Sequence, residues 1–560
     1  MQNLCKSYYL VMLMLISACP GLKSQELPAG AAAERVVACT DRTMYVSGEN
    51  VMFTAVVHQV GSAGAKPFSR SCCVELITPD GKKIAGRKYL VENSSCRGCF
   101  TIPEEVISGV YFLRFYTRMM RNGNPGDYAC TMLKIVNPFK TEVLPGREAA
   151  DTTRNELKDT GRLSTENPVE IVPGKKHYSP REEIRLNFKG IRNNGGRLCL
   201  SVVPELSSSN SVTPLQKKLS SPAGTVYLPE TRGVSLSGKL TGKESGRPVP
   251  HAKVNLSIIG DRDIMVVRTD SAGRFFFALP DHTGNRDIFL CADDMPGIKP
   301  EILIDNDFCT RPVDLPSPMF NLNEEESKTA YRLAVNSRII SVYGRDTMAG
   351  RIPASLSQVS FYGEPSEVFF LDKFIELPTL EEYFSELPVM LKVRKEQGQK
   401  HFRFYTTQEE MSIYDPLVLV DWVAVNDIEK VLAMSPREIE RIEMVNSTYI
   451  KGNIIYGGIV SFVSKKNDFA GINLPTSGTF VNYTFLEPGT PEIREVPLVN
   501  HMPDSRNTVY WNPDIQLTGD GTGSISFTAP DTPGRYVVLL RKVSDAGVVV
   551  VDRQVVEIGN

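Results

Sequence analysis

The sequence predicts a mostly β, multi-domain fold: tandem β-sandwiches with one α+β domain among them. Three observations carry that expectation. Short runs of β-branched and aromatic residues recur about every ten positions between Gly-, Pro- and Asp-rich turns, the pattern of packed sheets. Residues 415–469 instead mix strands apolar on both faces with short helix signals. The composition, 41% hydrophobic and 23% charged over 560 residues, is that of ordinary globular protein of about three to five domains. A net charge of −2 leaves no basic footprint, which argues against nucleic acid as a partner.

Residues 1–24 read as an export signal. Lys6 precedes an apolar run over 8–18, too short to span a bilayer, which takes about 20 residues. Two cleavage readings stay open. Leu22-Lys23-Ser24 before Gln25 suits ordinary signal peptidase, and Ile16-Ser17-Ala18-Cys19 resembles a lipobox that leaves a lipid anchor on Cys19. No later apolar run reaches about 18 residues, so the mature chain is expected to be soluble or peripherally attached at the periplasm or outer membrane.

Residues 34–140 read as a first sandwich. Thr40 to Phe53 is a turn leading into two alternating strands, Pro79-Asp80-Gly81-Lys82 is a hairpin turn, and Gly109-Val110-Tyr111-Phe112-Leu113-Arg114 is a strand. Six cysteines cluster here: Cys39, Cys72, Cys73, Cys96, Cys99 and Cys130. Export makes disulfides expected, though spacing does not assign their pairing. Cys96-Arg97-Gly98-Cys99 falls in a Ser- and Gly-rich stretch read as a loop. A structural disulfide is the preferred reading there, because a redox motif opens a helix and closed zinc needs four ligands. The Asp41-Arg42…Tyr45…Gly48-Glu49 opening and the Gly109–Arg114 strand resemble the macroglobulin-type sandwich of α2-macroglobulins and related bacterial envelope proteins. The family's Cys-x-Glu-Gln thioester is absent from the sequence, so protease trapping by that chemistry is not expected.

A polar linker over 151–167 leads to a second, smaller macroglobulin-like sandwich over 166–230. There Tyr178-Ser179-Pro180-Arg181-Glu182-Glu183-Ile184 repeats the logic of Tyr45 to Phe53: a tyrosine, a polar turn, an alternating strand. Residues 231–312 carry Gly246-Arg247-Pro248-Val249-Pro250 and the hairpin Asp270-Ser271-Ala272-Gly273-Arg274-Phe275. They resemble the carboxypeptidase regulatory-like domain, a small sandwich that implies no peptidase activity. A helical linker spans 313–365, its helix at 323–342 opened by Asn323 with Glu326 at the capping-box position. Residues 478–560 read as a third, C-terminal sandwich.

The 366–470 unit carries three blocks: Pro416-Leu417…Val420-Asp421, Pro436…Ile439-Glu440…Ile442-Glu443, and Tyr456-Gly457-Gly458…Lys465-Lys466. Ser435, Pro436 and Glu438 read locally as a helix start. In this order the blocks resemble the plug domain of TonB-dependent outer-membrane receptors of the Bacteroidetes. Trp422 stands where that family usually has glycine. A complete receptor closes about 22 strands around its plug, roughly 200 residues of strand. The chain of 560 leaves 91 residues after Phe469, too few for that wall.

No chemistry announces itself. His58, His177, His251, His282, His401 and His501 are scattered singly, and no serine-hydrolase elbow or phosphate loop occurs. Loop carboxylates such as Asp305, Asp307 and Asp520 read as solvated turns ahead of a calcium site. No enzyme activity, cofactor or metal is expected. Asp421, Trp422, Tyr456 and Trp511 are the candidate interaction residues, since tryptophan is enriched in binding hot spots, with core packing the plain alternative for each tryptophan. The resemblances imply a partner at the outer membrane, a β-barrel or envelope-complex protein. A surface adhesin is the second reading.

Overall fold

The alternating strand Glu183–Lys189 shows how the chain is assembled. It buries Ile184, Leu186 and Phe188 and exposes the residues between them, yet its neighbour in the sheet, Gly523–Thr528, lies more than 300 residues later. The two pair antiparallel, Ile184 opposite Phe527 and Leu186 opposite Ile525. The computed structural model describes residues 34–60, 66–146, 170–189, 197–208, 227–293, 295, 297–343, 359–387, 390–396, 398–405, 411, 413–487, 503–515, 522–543 and 549–559. The export signal, Cys19, Asp520 and the 151–167 linker lie outside them.

The first sandwich is continuous in sequence. Strands Glu34–Thr40, Asn50–Gln59 and Ser95–Thr101 form one layer, and Ser71–Ile77, Gly109–Tyr116, Ala129–Val136 and Met44–Val46 the other. The long strand Lys83–Glu92 pairs with members of both. Phe53 fills the centre, edge-on to Tyr89 at 4.8 Å and to Phe115 at 5.2 Å.

The second sandwich corrects the expected division. Glu170–Pro173, Glu183–Lys189 and Gly523–Thr528 make one sheet; His177–Tyr178, Val549–Ile558, Gly534–Val543, Arg197–Pro204 and Tyr510–Asn512 make the other. Residues 166–230 and 478–560 are therefore not two sandwiches. Their described strands are mostly the two halves of one, and they share one core, in which Leu200 and Phe188 pack with Phe527 and Val538. Each half supplies strands to both layers, and neither sheet is complete without the other half.

A third sandwich is inserted between those halves. Arg274–Ala278, Ser235–Gly242 and Pro300–Ile304 form three strands, and Ile264–Arg268, Lys253–Ile258 and Asn285–Ala292 form three more. A further strand, Thr479–Thr484, returns after residue 470 to pair with Asn285–Ala292. The 231–312 unit is thus completed from outside its expected boundary.

The helix α1, Glu324–Tyr343, follows. Asn323 Oδ1 accepts from the Glu326 amide at 2.8 Å and Glu326 Oε2 from the Asn323 amide at 3.1 Å, closing the expected capping box. Ala330 and Leu333 seat it against Met44 and Val46.

Inside the third sandwich sits the α+β unit. Its sheet runs Glu367–Phe370, Ile439–Val445, Ile459–Ser464, Leu417–Val420, Val423–Ala424. The short helices α2, Leu380–Glu386, and α3, Ile428–Leu432, are capped by Thr379 and Asp427. The hairpin Leu391–Glu396/Gln399–Phe404 packs with α2 in the same core. Pro436–Glu438 is a single 3-10 turn leading into a strand, not the start of a helix: the β-branched and apolar residues after it pair with Ile459–Ser464. Among the described residues no helix is long and apolar enough to cross a membrane.

Candidate interaction site

The strand Leu417–Val420 is buried along its whole length. Val418 and Val420 face α2 and α3, packing with Phe384, Val431 and Phe462. Leu417 and Leu419 face the third sandwich, packing with Ile264 and Val266. A strand apolar on both sides is what such a double cover requires, and it docks the α+β unit through one face of its sheet. Polar groups ring the contact: Asn426 Nδ2 donates to Asp293 Oδ1 at 2.7 Å, Lys451 pairs with Asp263 at 2.6 Å, and the Phe361 amide donates to the Arg262 carbonyl at 3.0 Å.

Asp421 and Trp422 form the two-residue turn between Leu417–Val420 and Val423–Ala424, with φ of +45° and +61°. Two left-handed residues match the twist of a tight hairpin, which is why the resembled pattern favours glycine at the second. Trp422 tolerates that backbone inside a closed setting. It is 6% exposed, its carbonyl accepts from Ser257 Oγ at 2.9 Å, and the Arg262 guanidinium lies 5.1 Å from its ring. Asp421 accepts at both oxygens: from the Ser464 amide at 2.8 Å, the Ser464 hydroxyl at 2.6 Å and the Phe469 amide at 2.8 Å. It ties the end of the first sequence block to the end of the third.

Tyr456 is buried beside Ile264 and Ile459, with Lys253 Nζ 5.5 Å from its ring, and burial pushes its phenol well above the usual range. Trp511 is buried with Cys39, Val56, Cys199 and Val543 in the seam between the first and second sandwiches. The structure therefore corrects the expected contact role of all four residues. Trp422 and Tyr456 lie buried at the junction with the third sandwich and Trp511 in the seam with the first, each covered by a separate domain that local sequence does not reveal. Asp421, partly buried, engages both carboxylate oxygens inside its own unit, on Ser464 and Phe469.

The Cys96–Cys99 expectation is also corrected. Both sit on the strand Ser95–Thr101, not in a loop, and both are free thiols. Three positions along a strand span about 10 Å and end on opposite faces, beyond the reach of a disulfide, whose Cα atoms lie within about 7 Å. Cys96 instead meets the Cys72 thiol inside the core. Cys99, half-buried, is pushed up to about 12 by burial.

The accessible face of the α+β unit lies elsewhere. Glu367–Phe370 is the edge strand opposite Val423–Ala424, and its outer side pairs with no described strand. Exposed Val368 lies on it, and exposed Phe374 and Ile375 follow it in the chain, Ile375 at 87% exposure. Phe374-Ile375, an apolar pair set between the charged residues Asp372-Lys373 and Glu376, was the available signal. On the separate 391–404 hairpin and the residue after it, Arg394 stacks 5.1 Å from the exposed Tyr405 ring and donates to its hydroxyl at 2.8 Å. Among the described residues no group of three His, Cys, Asp or Glu side chains converges to hold a metal ion. The arrangement is suited to contact.

No family model and no curated protein matches the chain. Among solved structures it is similar to an Escherichia coli alpha-2-macroglobulin activated by porcine elastase, at 10% identity, covering 94% of this chain and 44% of that one, with a TM-score of 0.24. It is likewise similar to a Salmonella alpha-2-macroglobulin reacted with methylamine, at 10% identity, 94% and 39% coverage and a TM-score of 0.23. The chain spans less than half the length of these structures.

Proposed function

We propose that this is a non-enzymatic envelope protein whose inserted α+β unit acts as a plug-like docking module on an outer-membrane β-barrel partner, aiding transport, secretion or assembly there. The observation that carries the reading is the edge strand Glu367–Phe370, whose outer side pairs with no described strand, with Phe374 and Ile375 exposed just after it. An open edge supplies unpaired backbone donors and acceptors in a row, and exposed apolar side chains next to it supply contact area. The three plug-like sequence blocks support the same reading, because they form three adjacent strands of one sheet, braced by Asp421. Every described strand after Phe469 pairs within a sandwich; the reading assigns the barrel to a partner.

The test places a photo-crosslinking residue at Ile375 in the full chain and extracts the envelope in mild detergent. A covalent adduct with an integral barrel protein is expected. Recovery as an uncrosslinked soluble monomer sinks the docking reading. Digestion by protease added to intact cells would favour the adhesin reading, because a docked periplasmic module is shielded.

A further inference from the structure

Cys39 lies on Glu34–Thr40 of the first sandwich and Cys199 on Arg197–Pro204 of the second. The fold brings them together from 160 positions apart, into the buried cluster with Val56, Trp511 and Val543 that fills the seam between the two domains. There the two thiols hydrogen-bond each other. The seam around them is held by further cross-domain contacts. Thr508 Oγ1 donates to Asp41 Oδ2 at 2.5 Å, and Asp514 pairs with Arg97 of the first sandwich and, at 3.0 Å, with Arg197 of the second. The two thiols thus lie together in a buried seam held from both domains, with the Arg541 guanidinium beside them.

We propose that a disulfide between Cys39 and Cys199 staples the first sandwich to the second in the exported protein. The oxidising compartment is taken from the envelope reading above; the juxtaposition itself is independent of it. The chemistry is thiol–disulfide exchange with an oxidising protein or small-molecule disulfide. The Cys39 thiolate attacks one sulfur of that disulfide and releases the other as a thiolate. Cys199, giving up its proton, then attacks the Cys39 sulfur and releases the second thiolate. Two cysteine thiols are oxidised, one disulfide is reduced, and the two protons go to the two leaving thiolates. The surroundings favour this order. The hydrogen bond from Cys199, aided by the nearby Arg541 guanidinium and opposed by burial, holds Cys39 below the usual thiol range, while Cys199 is held well above it as the donor. Arg541 is itself buried and donates to Ser201 Oγ at 3.1 Å, which fixes it beside the pair.

The full chain, exported from a bacterial host, is quenched in acid, unfolded, alkylated without reductant, digested and mapped by mass spectrometry. A linked peptide pair containing residues 39 and 199, lost on reduction, is expected. Complete alkylation of both cysteines in folded protein, or a bridge from either to a different cysteine, overturns the proposal. The same mapping on full-length protein refolded in a glutathione redox buffer separates it from the envelope reading: the 39–199 link forms there whatever the protein's location, and its absence from native refolded protein overturns the staple. Cys39→Ser leaves Cys199 open to alkylation after unfolding and lowers Tm by about 5–15 °C, whereas Cys99→Ser does neither. Should Cys39→Ser not fold, the wild-type map alone decides.

Discussion

Two turns in this protein share one backbone design and differ in everything around it. At Tyr45–Glu49 the Glu49 carboxylate accepts from the Val46 amide at 2.6 Å and the Glu49 amide donates back to the Val46 carbonyl at 3.1 Å. At Tyr178–Glu182 the Glu182 carboxylate accepts from the Ser179 amide at 2.9 Å and the Glu182 amide donates to the Ser179 carbonyl at 3.1 Å. The residue before each glutamate is left-handed, Gly48 at +85° and Arg181 at +63°. Each tyrosine sits on a short strand that runs parallel to the last strand of its sandwich, Ala129–Val136 in one case and Val549–Ile558 in the other. The sequence repeat is thus a repeat of topology.

The surroundings separate them. Around the first turn Arg42 donates to both Glu49 oxygens at 2.9 and 3.1 Å, Tyr45 donates to Asp41 at 2.6 Å, and all four side chains are buried. Asn507, from the C-terminal half of the second sandwich, donates to Glu49 at 2.6 Å and to the Leu333 carbonyl of α1 at 2.9 Å. This turn is where three parts of the chain are tied together. The second turn faces solvent, with Lys175 paired to Glu182 at 2.5 Å and Arg181 to Asp531 at 2.8 Å. A local motif specifies a shape, and burial by a distant segment decides what the shape is worth.

The largest expected contrast follows from removing one charge. Arg42→Met leaves Asp41 and Glu49 buried without their guanidinium, a loss of about 3–5 kcal/mol. Urea unfolding should show a lower midpoint, and Glu182→Gln on the exposed turn should leave it unmoved. Equal effects from the two variants would show that burial is not what distinguishes them. Asn507→Ala comes next. It strips a buried carboxylate and a helix carbonyl of a donor at once, for about 1–3 kcal/mol, and should expose α1 to limited proteolysis before either sandwich unfolds. Proteolysis that begins within the first sandwich would contradict that order.

Acid titration sharpens the comparison further, because the signs are opposite. Burial holds Asp41 above its ordinary carboxyl range against the pull of Arg42, while the hydrogen bond from Lys175 draws Glu182 below its own. Asp41 binds its proton more tightly folded than unfolded. Its contribution is fully present below the unfolded pKa and is lost as pH rises through the folded value. Glu182 contributes above its unfolded pKa and loses that contribution as pH falls through the folded one. Between about pH 3 and pH 6, Asp41→Asn should therefore make stability rise more steeply with pH than in the wild type, and Glu182→Gln less steeply. Unfolding midpoints measured across that range check both slopes.

What was legible in the sequence is what one short window contains. The Tyr-to-Glu turn, the Asn323–Glu326 capping box, the Asp270 hairpin, where Asp270 Oδ1 accepts from the Ala272 and Arg274 amides at 2.8 Å, and the doubly apolar Leu417–Val420 all close their hydrogen bonds or show their periodicity locally. Alternation in Glu183–Lys189 says that one face is covered but neither which strand pairs beside it nor what lies opposite: the neighbour is 523–528 and the covering sheet includes 534–543 and 549–558. Trp422, Tyr456 and Trp511 were misplaced for the same reason: a large aromatic reads alike whether a partner or another domain of its own chain buries it. The accessible edge at Glu367–Phe370 was missed because an edge is defined by the strand that is not there.

The smallest effects come from the left-handed residue itself, and they run in opposite directions. Gly48→Ala adds a Cβ that meets Glu104 Cγ at 3.4 Å, ordinary contact, so the cost is conformational, about 1–2 kcal/mol for a non-glycine residue held at positive φ. Arg181 already bears that strain. Arg181→Gly relieves it while giving up an exposed ion pair with Asp531, a weak interaction in water, and it adds chain freedom to the unfolded state. The three terms nearly cancel, and the unfolding midpoint should move less than for Gly48→Ala. A large loss on Arg181→Gly would mean that the Arg181–Asp531 pair anchors the second turn as Arg42 anchors the first, and the contrast between a buried junction and a solvated copy would then rest on burial of the carboxylate alone.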